Sequence, residues 1–206
     1  MSNELRFTEI DRVDHELLPE WLDIFECSFP PEEKVLVSCF LQLLQKKQAG
    51  DRPDSHMIAA VDDEVGIVGI MRFDIDRESK IAYLWYLAAR QDVRGRGLGS
   101  KCLSEVIGRA TEAGTRAVVW EVEVPEQQFE LGHREFAERR ISFYRRHGAK
   151  LLRGIQYIHS VGPHQPKILM NIMVRPIEPI SPQEAFDMAK HLFEDGVAQS
   201  GELTLE

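Results

Sequence analysis

The sequence predicts an α/β fold, and three observations carry that expectation. The first is a change of period around one loop. Tyr83 to Leu87 is a run of aromatic and apolar residues, as in a buried strand. From Leu98 the apolar positions Leu98, Cys102, Val106 and Ala110 recur at every fourth residue, one stripe of a helix. The second is the alternation of strand and helix patterns along nearly the whole chain. The third is composition. The 206 residues are 43% hydrophobic and 29% charged, an ordinary globular balance sized for one well-filled core rather than two comfortable domains.

In chain order, a strand is expected at residues 5–10, then a helix with Leu18, Trp21, Leu22 and Phe25 on one face. Pro30 and Pro31 break it, and Pro31-Glu32-Glu33 suits a new helix N-terminus. That second helix shows Leu36, Cys39, Phe40 and Leu43 before a polar connection at 51–55. Residues 57–61, the turn Asp62-Asp63-Glu64, and residues 65–73 read as a hairpin. A turn at 76–79 leads to the strand 81–88, the loop and its helix. Residues 116–124 form a strand stopped by Pro125, 126–133 an irregular loop, and 134–147 a helix ended by Gly148. Strands at 150–160 and 167–175 follow, then a helix at 182–194 and a polar tail.

Charge singles out one place. The chain carries 25 basic and 34 acidic residues, a net −9, which argues against general nucleic-acid or anionic-membrane binding. Yet residues 90–101 hold Arg90, Arg94, Arg96 and Lys101 against Asp92 alone, a local +3. Glycines at 95, 97 and 99 let backbone N–H groups approach a ligand, and the helix that follows adds a positive dipole end. The loop therefore reads as a cradle for phosphate. Its spacing is not G-x-G-x-x-G, and no G-x-x-x-x-G-K-[ST] occurs. The three cysteines, Cys27, Cys39 and Cys102, look like small core residues of a reduced, cytoplasmic protein. No apolar run approaches a membrane span, the N-terminus has no signal-peptide pattern, and the seven histidines show no metal-ligand spacing.

Arg94-x-x-Gly97-x-Gly99 after an apolar strand resembles the acyl-CoA pyrophosphate loop of the GNAT superfamily of N-acyltransferases. The β-α-α-β-β-β-α-β-α-β-β order is similar to that of the same family over residues 4–176. So is the helix-turn-strand piece around Tyr144, Gly148 and Ala149. The resemblance implies a mixed, centrally splayed sheet flanked by helices, a GNAT domain at 1–176, and a C-terminal helix and tail at 177–206. It implies acetyl-CoA as co-substrate, held by Leu87, Ala88 and Ala89 of the strand and by Arg94, Gly95, Arg96, Gly97, Leu98, Gly99 and Ser100 of the loop. The Leu87 N–H becomes the oxyanion donor and Tyr144 the acid that protonates the leaving sulfur. Glu121, in Trp120-Glu-Val-Glu123, matches a Leu-Glu-Val-Arg strand whose Glu serves as base in some peptide N-terminal acetyltransferases, with Glu123 in reserve. Two family features are missing. No Asn lies in the 125–138 segment, and Ile81 stands where some members keep a Glu.

The expected activity is direct acetyl transfer from acetyl-CoA to an amine of a small molecule or peptide. No Cys or Ser sits in a nucleophile motif, so no acyl-enzyme is expected. Glu121, Glu123, Glu126, Glu130, Glu135 and Glu138 suggest a cationic acceptor, partly offset by Arg134, Arg139 and Arg140. Two alternatives stand beside this reading: transfer of a bulkier acyl group, and a non-catalytic acyl-CoA-binding regulatory or interaction module. An RNA-binding role is disfavoured by the overall charge and by the lack of an aromatic platform beside the arginines. A homodimer is left open.

Overall fold

The computed structural model describes residues 5–51, 54–93, 97–128, 130–160 and 167–206, with the side chains of Leu131 and Asp195 set aside. Its strands are β1 (Arg6–Glu9), β2 (Ser55–Asp62), β3 (Gly66–Asp76), β4 (Ile81–Ala89), β5 (Ala117–Glu123), β6 (Lys150–His159), β7 (Ile168–Pro176) and β8 (Val197–Leu205). The helices are α1 (Leu18–Ser28), α2 (Val37–Gln48), α3 (Leu98–Glu112), α4 (Leu131–Arg146) and α5 (Pro182–Phe193). The strands follow the hydrogen-bonded order β1-β2-β3-β4-β5-β7-β6-β8 in a mixed sheet. Residues 1–75 and 84–109 make one compact unit; residues 76–83 and 110–206 make the other, so β4 contributes to both.

In the first unit, β1, β2 and β3 are antiparallel neighbours. Trp21 and Phe25 of α1, Phe40 and Leu44 of α2, and Tyr86 of β4 share one core with Met57 and Ile70. Edge-to-face contacts at 4.8 Å join Phe25 to both Phe40 and Tyr86, the geometry that ring quadrupoles favour. Helix α3 lies close to β3 because Gly69 has no side chain: a Cβ there would stand 2.8 Å from Cys102 Sγ. Glu9 of β1 ties this unit together. It pairs with Lys47 of α2, with His56 of β2 at 2.9 Å and with Arg109 of α3 at 2.7 Å.

In the second unit, β5 runs parallel to the first residues of β4, with Ile81 opposite Ala117 and Tyr83 opposite Val119. Strand β7 separates β5 from β6 and is antiparallel to both. Ile81, Val119, Ile172 and Val174 form a core with Ala185 and Met188 of α5. Helix α5 opens with a capping box, in which Ser181 and Glu184 satisfy each other's backbone N–H groups.

Four expectations need correction. The polar tail is strand β8, antiparallel to β6, so residues 177–206 supply both a helix and a sheet strand. Residues 198–202 are all exposed, as suits an edge strand whose side chains meet water, which is why no apolar run announced it. Helix α2 starts at Val37, after a short 3-10 turn at Pro31–Glu33, and buries Phe40 and Leu44; Leu36 is 70% exposed. Cys27 and Cys39 are exposed, and only Cys102 is a core residue. Helix α4 begins at Leu131, three residues before the expected start.

Burial alone would raise the Glu9 carboxyl, but the hydrogen bonds and charges of His56 and Lys47 hold it down at about 2, from an ordinary 4.5. A depressed carboxylate stabilises the fold above pH 4.5 and loses that contribution as pH falls toward 2. Glu9→Gln should therefore cost on the order of 2 kcal/mol at pH 7, after allowance for partial solvent screening. Urea denaturation checks this, and the gap from wild type should narrow as pH drops from 5 toward 3.

Candidate active site

The loop belongs to the first unit. Strand β4 is pinned by Tyr86, whose hydroxyl donates to the Glu33 carbonyl at 2.9 Å and accepts from Val35 N–H at 3.1 Å. Leu87 and Ala89 are half-buried and Ala88 is buried. The Arg90 guanidinium donates to the Val65 and Ile67 carbonyls and to Asp92, so its charge straps the strand end instead of serving the loop. Arg94, Gly95 and Arg96 lie outside the described residues.

Gly97 has φ +72°, and among the described residues a Cβ built there would meet nothing within 4 Å. The glycine is required by backbone conformation and faces open space. Its carbonyl accepts from Lys101 N–H at 3.1 Å, opening α3. Leu98 is buried and anchors the helix, while Gly99 and Ser100 are half-buried in the first turn. First-turn N–H groups have no intrahelical acceptor, so this end can receive an anion. Cys102, one turn further on, has its thiol pushed up to about 12 by burial, with Glu105 adding to the effect.

The second unit holds a separate group of ionisable side chains. Glu121 is a buried carboxylate on β5, its side chain 8% exposed. It accepts from Tyr83 hydroxyl at 2.6 Å and Tyr157 hydroxyl at 2.8 Å, and His159 Nδ1 lies 3.1 Å away. Burial and the charge of Glu121 raise the Tyr157 hydroxyl well above its ordinary value, so it stays protonated and donates. Phe193 of α5 packs against both tyrosines. Glu123, two residues along, is held separately by Arg140 of α4 at 2.8 Å.

Tyr144 is 7% exposed, with its ring 4.7 Å from that of Trp120. It forms the buried stripe of α4 with Ala137 and Ile141, and Gly148 at φ +81° then ends the helix. Burial raises the Tyr144 hydroxyl, Glu123 adds to that, and Arg140 opposes it. Beside it, Trp120 Nε1 and Glu123 Oε2 are buried without a hydrogen-bond partner among the described residues. Residues 120 and 121 point to opposite sides of β5, so the Tyr144 ring, packed on Trp120, and the Glu121 carboxylate lie on different faces of one strand.

Tyr83, Tyr157 and His159 had no sequence signal, because their contact with Glu121 crosses three strands. The acidic field expected around β5 is largely neutralised: Glu123 pairs with Arg140, Glu138 with Arg134 and Glu135 with Arg139. Ile81, where some relatives keep a Glu, is buried in the core of the second unit.

The description "Acetyltransferase (GNAT) family" matches residues 16–149, close to two thirds of the chain. The chain belongs to the GNAT acetyltransferase family. Members of this family are enzymes acting on amine-bearing acceptors. No curated protein matches the sequence. Among solved structures, a protein from Bacteroides thetaiotaomicron assigned to GNAT-family acetyltransferases is 24% identical, covering 91% of this chain and 94% of its own, with a TM-score of 0.70. A GNAT-superfamily phosphinothricin acetyltransferase from Sinorhizobium meliloti, in complex with acetyl-CoA, is 18% identical over 84% of this chain and 88% of its own, with a TM-score of 0.58. An acetyltransferase from Bacillus subtilis, in complex with CoA, is 11% identical over 85% of this chain and 100% of its own, with a TM-score of 0.55. At these identities the likeness is one of GNAT fold. Among the described residues no helix is long and apolar enough to cross a membrane.

The Glu121 cluster also bears on stability. Tyr157→Phe removes one hydrogen bond to a buried carboxylate and leaves the ring packing on Phe193. It should destabilise the protein by about 1.5–3 kcal/mol, measured by urea denaturation.

Proposed function

We propose that this GNAT protein is an acetyl-CoA-dependent N-acetyltransferase that moves the acetyl group directly to the amine of a small molecule or peptide. The observation that carries the reading is Gly97: a left-handed glycine facing open space at the start of α3. In a loop of the form Arg94-x-x-Gly97-x-Gly99 that space suits the pyrophosphate of CoA. Bound acetyl-CoA supplies an activated thioester and a thiolate leaving group of moderate basicity.

The residues divide the remaining work. First-turn N–H groups at Leu98, Gly99 and Ser100 receive the pyrophosphate, with Arg94, Gly95 and Arg96 completing the loop. Backbone groups of Leu87, Ala88 and Ala89 align the pantetheine arm, and the Leu87 N–H stabilises the oxyanion.

An ammonium acceptor must lose a proton before it can attack. Glu121 is the anionic centre that accepts this proton, directly or through the groups bonded to it. Attack forms the C–N bond, collapse breaks the C–S bond, and the Tyr144 hydroxyl protonates the departing sulfur. Tyr144 then recovers a proton from the nitrogen, so each turnover releases one proton overall. Burial raises the Tyr144 hydroxyl, so it is protonated beforehand and gives up its proton only as the C–S bond breaks. Cys102, buried with its thiol near 12, is no nucleophile, in accord with direct transfer.

Two variants test the assignment. Gly97→Val forces a β-branched residue into a left-handed conformation and fills the open space, so calorimetry should show CoA binding lost while circular dichroism keeps its shape. Unchanged CoA affinity would remove the basis of the reading. Tyr144→Phe keeps the ring on Trp120 and deletes only the hydroxyl, and should lower kcat by about a hundredfold or more. CoA affinity should stay within a few-fold of wild type. Turnover within about threefold of wild type, under one kcal/mol of barrier, would withdraw Tyr144 from the chemistry.

A further inference from the structure

A cavity of about 230 Å³ lies wholly within the first unit, walled by α2, β3, β4 and the chain leading into α2. Its most unusual wall is Trp85. This residue sits in β4 between buried neighbours, yet it is 38% exposed. Its ring is fixed in advance. The indole N–H donates to Asp74 Oδ2 at 2.7 Å, and the Arg72 guanidinium lies 5.6 Å from the ring centroid. Phe40, Leu43 and Tyr86 supply further apolar surface. A rigid aromatic platform with an open face favours a flat or apolar ligand, because little ordering is needed on binding.

The polar groups of the cavity decide the sign of the ligand's charge. Asp74 takes a fork of bonds from Arg72 at 2.9 and 3.0 Å, one from Ser55 Oγ at 2.5 Å, and the Trp85 bond. Four donors fill the acceptor sites of a carboxylate. Burial would raise Asp74, but the charge and hydrogen bonds of Arg72, with Ser55 and Trp85, hold it below the ordinary range. It therefore stays an anion with no lone pair to give a ligand ammonium.

The cations are in the opposite position. The fork uses two of the five Arg72 N–H groups. The Lys46 ammonium, exposed at the rim, has no hydrogen bond or ion pair among the described residues. With Arg72 and Asp74 cancelling, the cavity carries one net positive charge in a chain of net −9. Its volume falls below the range of about 300–1,000 Å³ that holds drug-sized ligands, so the ligand is small.

We propose that this cavity binds a small aromatic or apolar carboxylate, its body on Trp85 and its acid group against Arg72 and Lys46. Joined to the acetyltransferase reading, on which this second step rests, the ligand is the acceptor. It is then an amine that carries an acid group, an amino-acid-like molecule instead of a polyamine or basic peptide.

The test uses 3-phenylpropionate, with 3-phenylpropanamide as the neutral analogue and 2-phenylethylammonium as the cationic one. Cys39 lines the cavity and is exposed; Cys27 is exposed and does not line it. Alkylation by iodoacetamide, mapped by mass spectrometry, therefore reports occupancy at one place with an internal control. The carboxylate should slow alkylation of Cys39 and leave Cys27 unchanged, at concentrations about tenfold below those the amide needs. Lys46→Met should weaken that protection roughly threefold for the carboxylate and leave the amide unaffected. Trp85→Ala should abolish it for both; if that variant fails to fold, Trp85→Phe keeps the packing and should weaken both.

Equal or better protection by the ammonium or the amide would overturn the proposal, as would no protection by any of the three. Acetyl-CoA titrated into the same sample separates this result from the proposed function. Protection without acetyl-CoA binding supports the cavity and removes its acceptor role. Acetyl-CoA binding without protection overturns the cavity and keeps the transferase.

Discussion

Strand β4 carries the constraint on which the rest depends: a mostly buried strand that must still place polar atoms at fixed points. Tyr83 gives its hydroxyl to Glu121, Trp85 its indole N–H to Asp74, and Tyr86 its hydroxyl to the Glu33 carbonyl. Each aromatic residue carries one polar group at its edge, and Tyr83 and Tyr86 bury their rings while Trp85 stays partly open. The strand is thus anchored by apolar packing and aimed by three hydrogen bonds. Its end is then clamped by Arg90 on the Val65 and Ile67 carbonyls, so the loop that follows leaves from a fixed point.

The buried carboxylates are used in two different ways. Around Glu9 and around Asp74, carboxylates are saturated by cations and hydroxyls, and these networks hold elements together. Around Glu121 the donors are two tyrosines and a histidine, with no lysine or arginine bonded to it among the described residues. A buried carboxylate bonded to hydroxyls and an imidazole leaves exchangeable protons nearby, whereas one locked in an arginine fork does not. That contrast separates the group suited to proton transfer from those suited to support.

Much of the fold was legible in the sequence. The change of period around Gly97, the hairpin at Asp62 to Glu64 and the glycine stop at Gly148 are local signals that tertiary packing had no reason to override. Strand β8 was hidden because an edge strand facing water needs no apolar pattern. The start of α2 was misjudged because Pro31-Glu32-Glu33 satisfies the rules for a helix start yet makes only one 3-10 turn. Of the site, Gly97 and Tyr144 sit in recognisable local motifs. The partners of Glu121 were invisible, since Tyr83, Tyr157 and His159 meet it only through strand order. The same holds for the cavity, whose Arg72, Asp74 and Trp85 belong to two strands.

The central claim is that backbone N–H groups at the start of α3 hold the pyrophosphate of CoA. Amide resonances in a ¹H–¹⁵N correlation spectrum test it most directly, with CoA and pantetheine titrated separately into the labelled protein. The account predicts that CoA shifts the amides of Gly97, Leu98, Gly99 and Ser100, and that pantetheine, which lacks the pyrophosphate, leaves those four in place. Unmoved resonances for these residues at saturating CoA, or equal shifts with pantetheine, would contradict it.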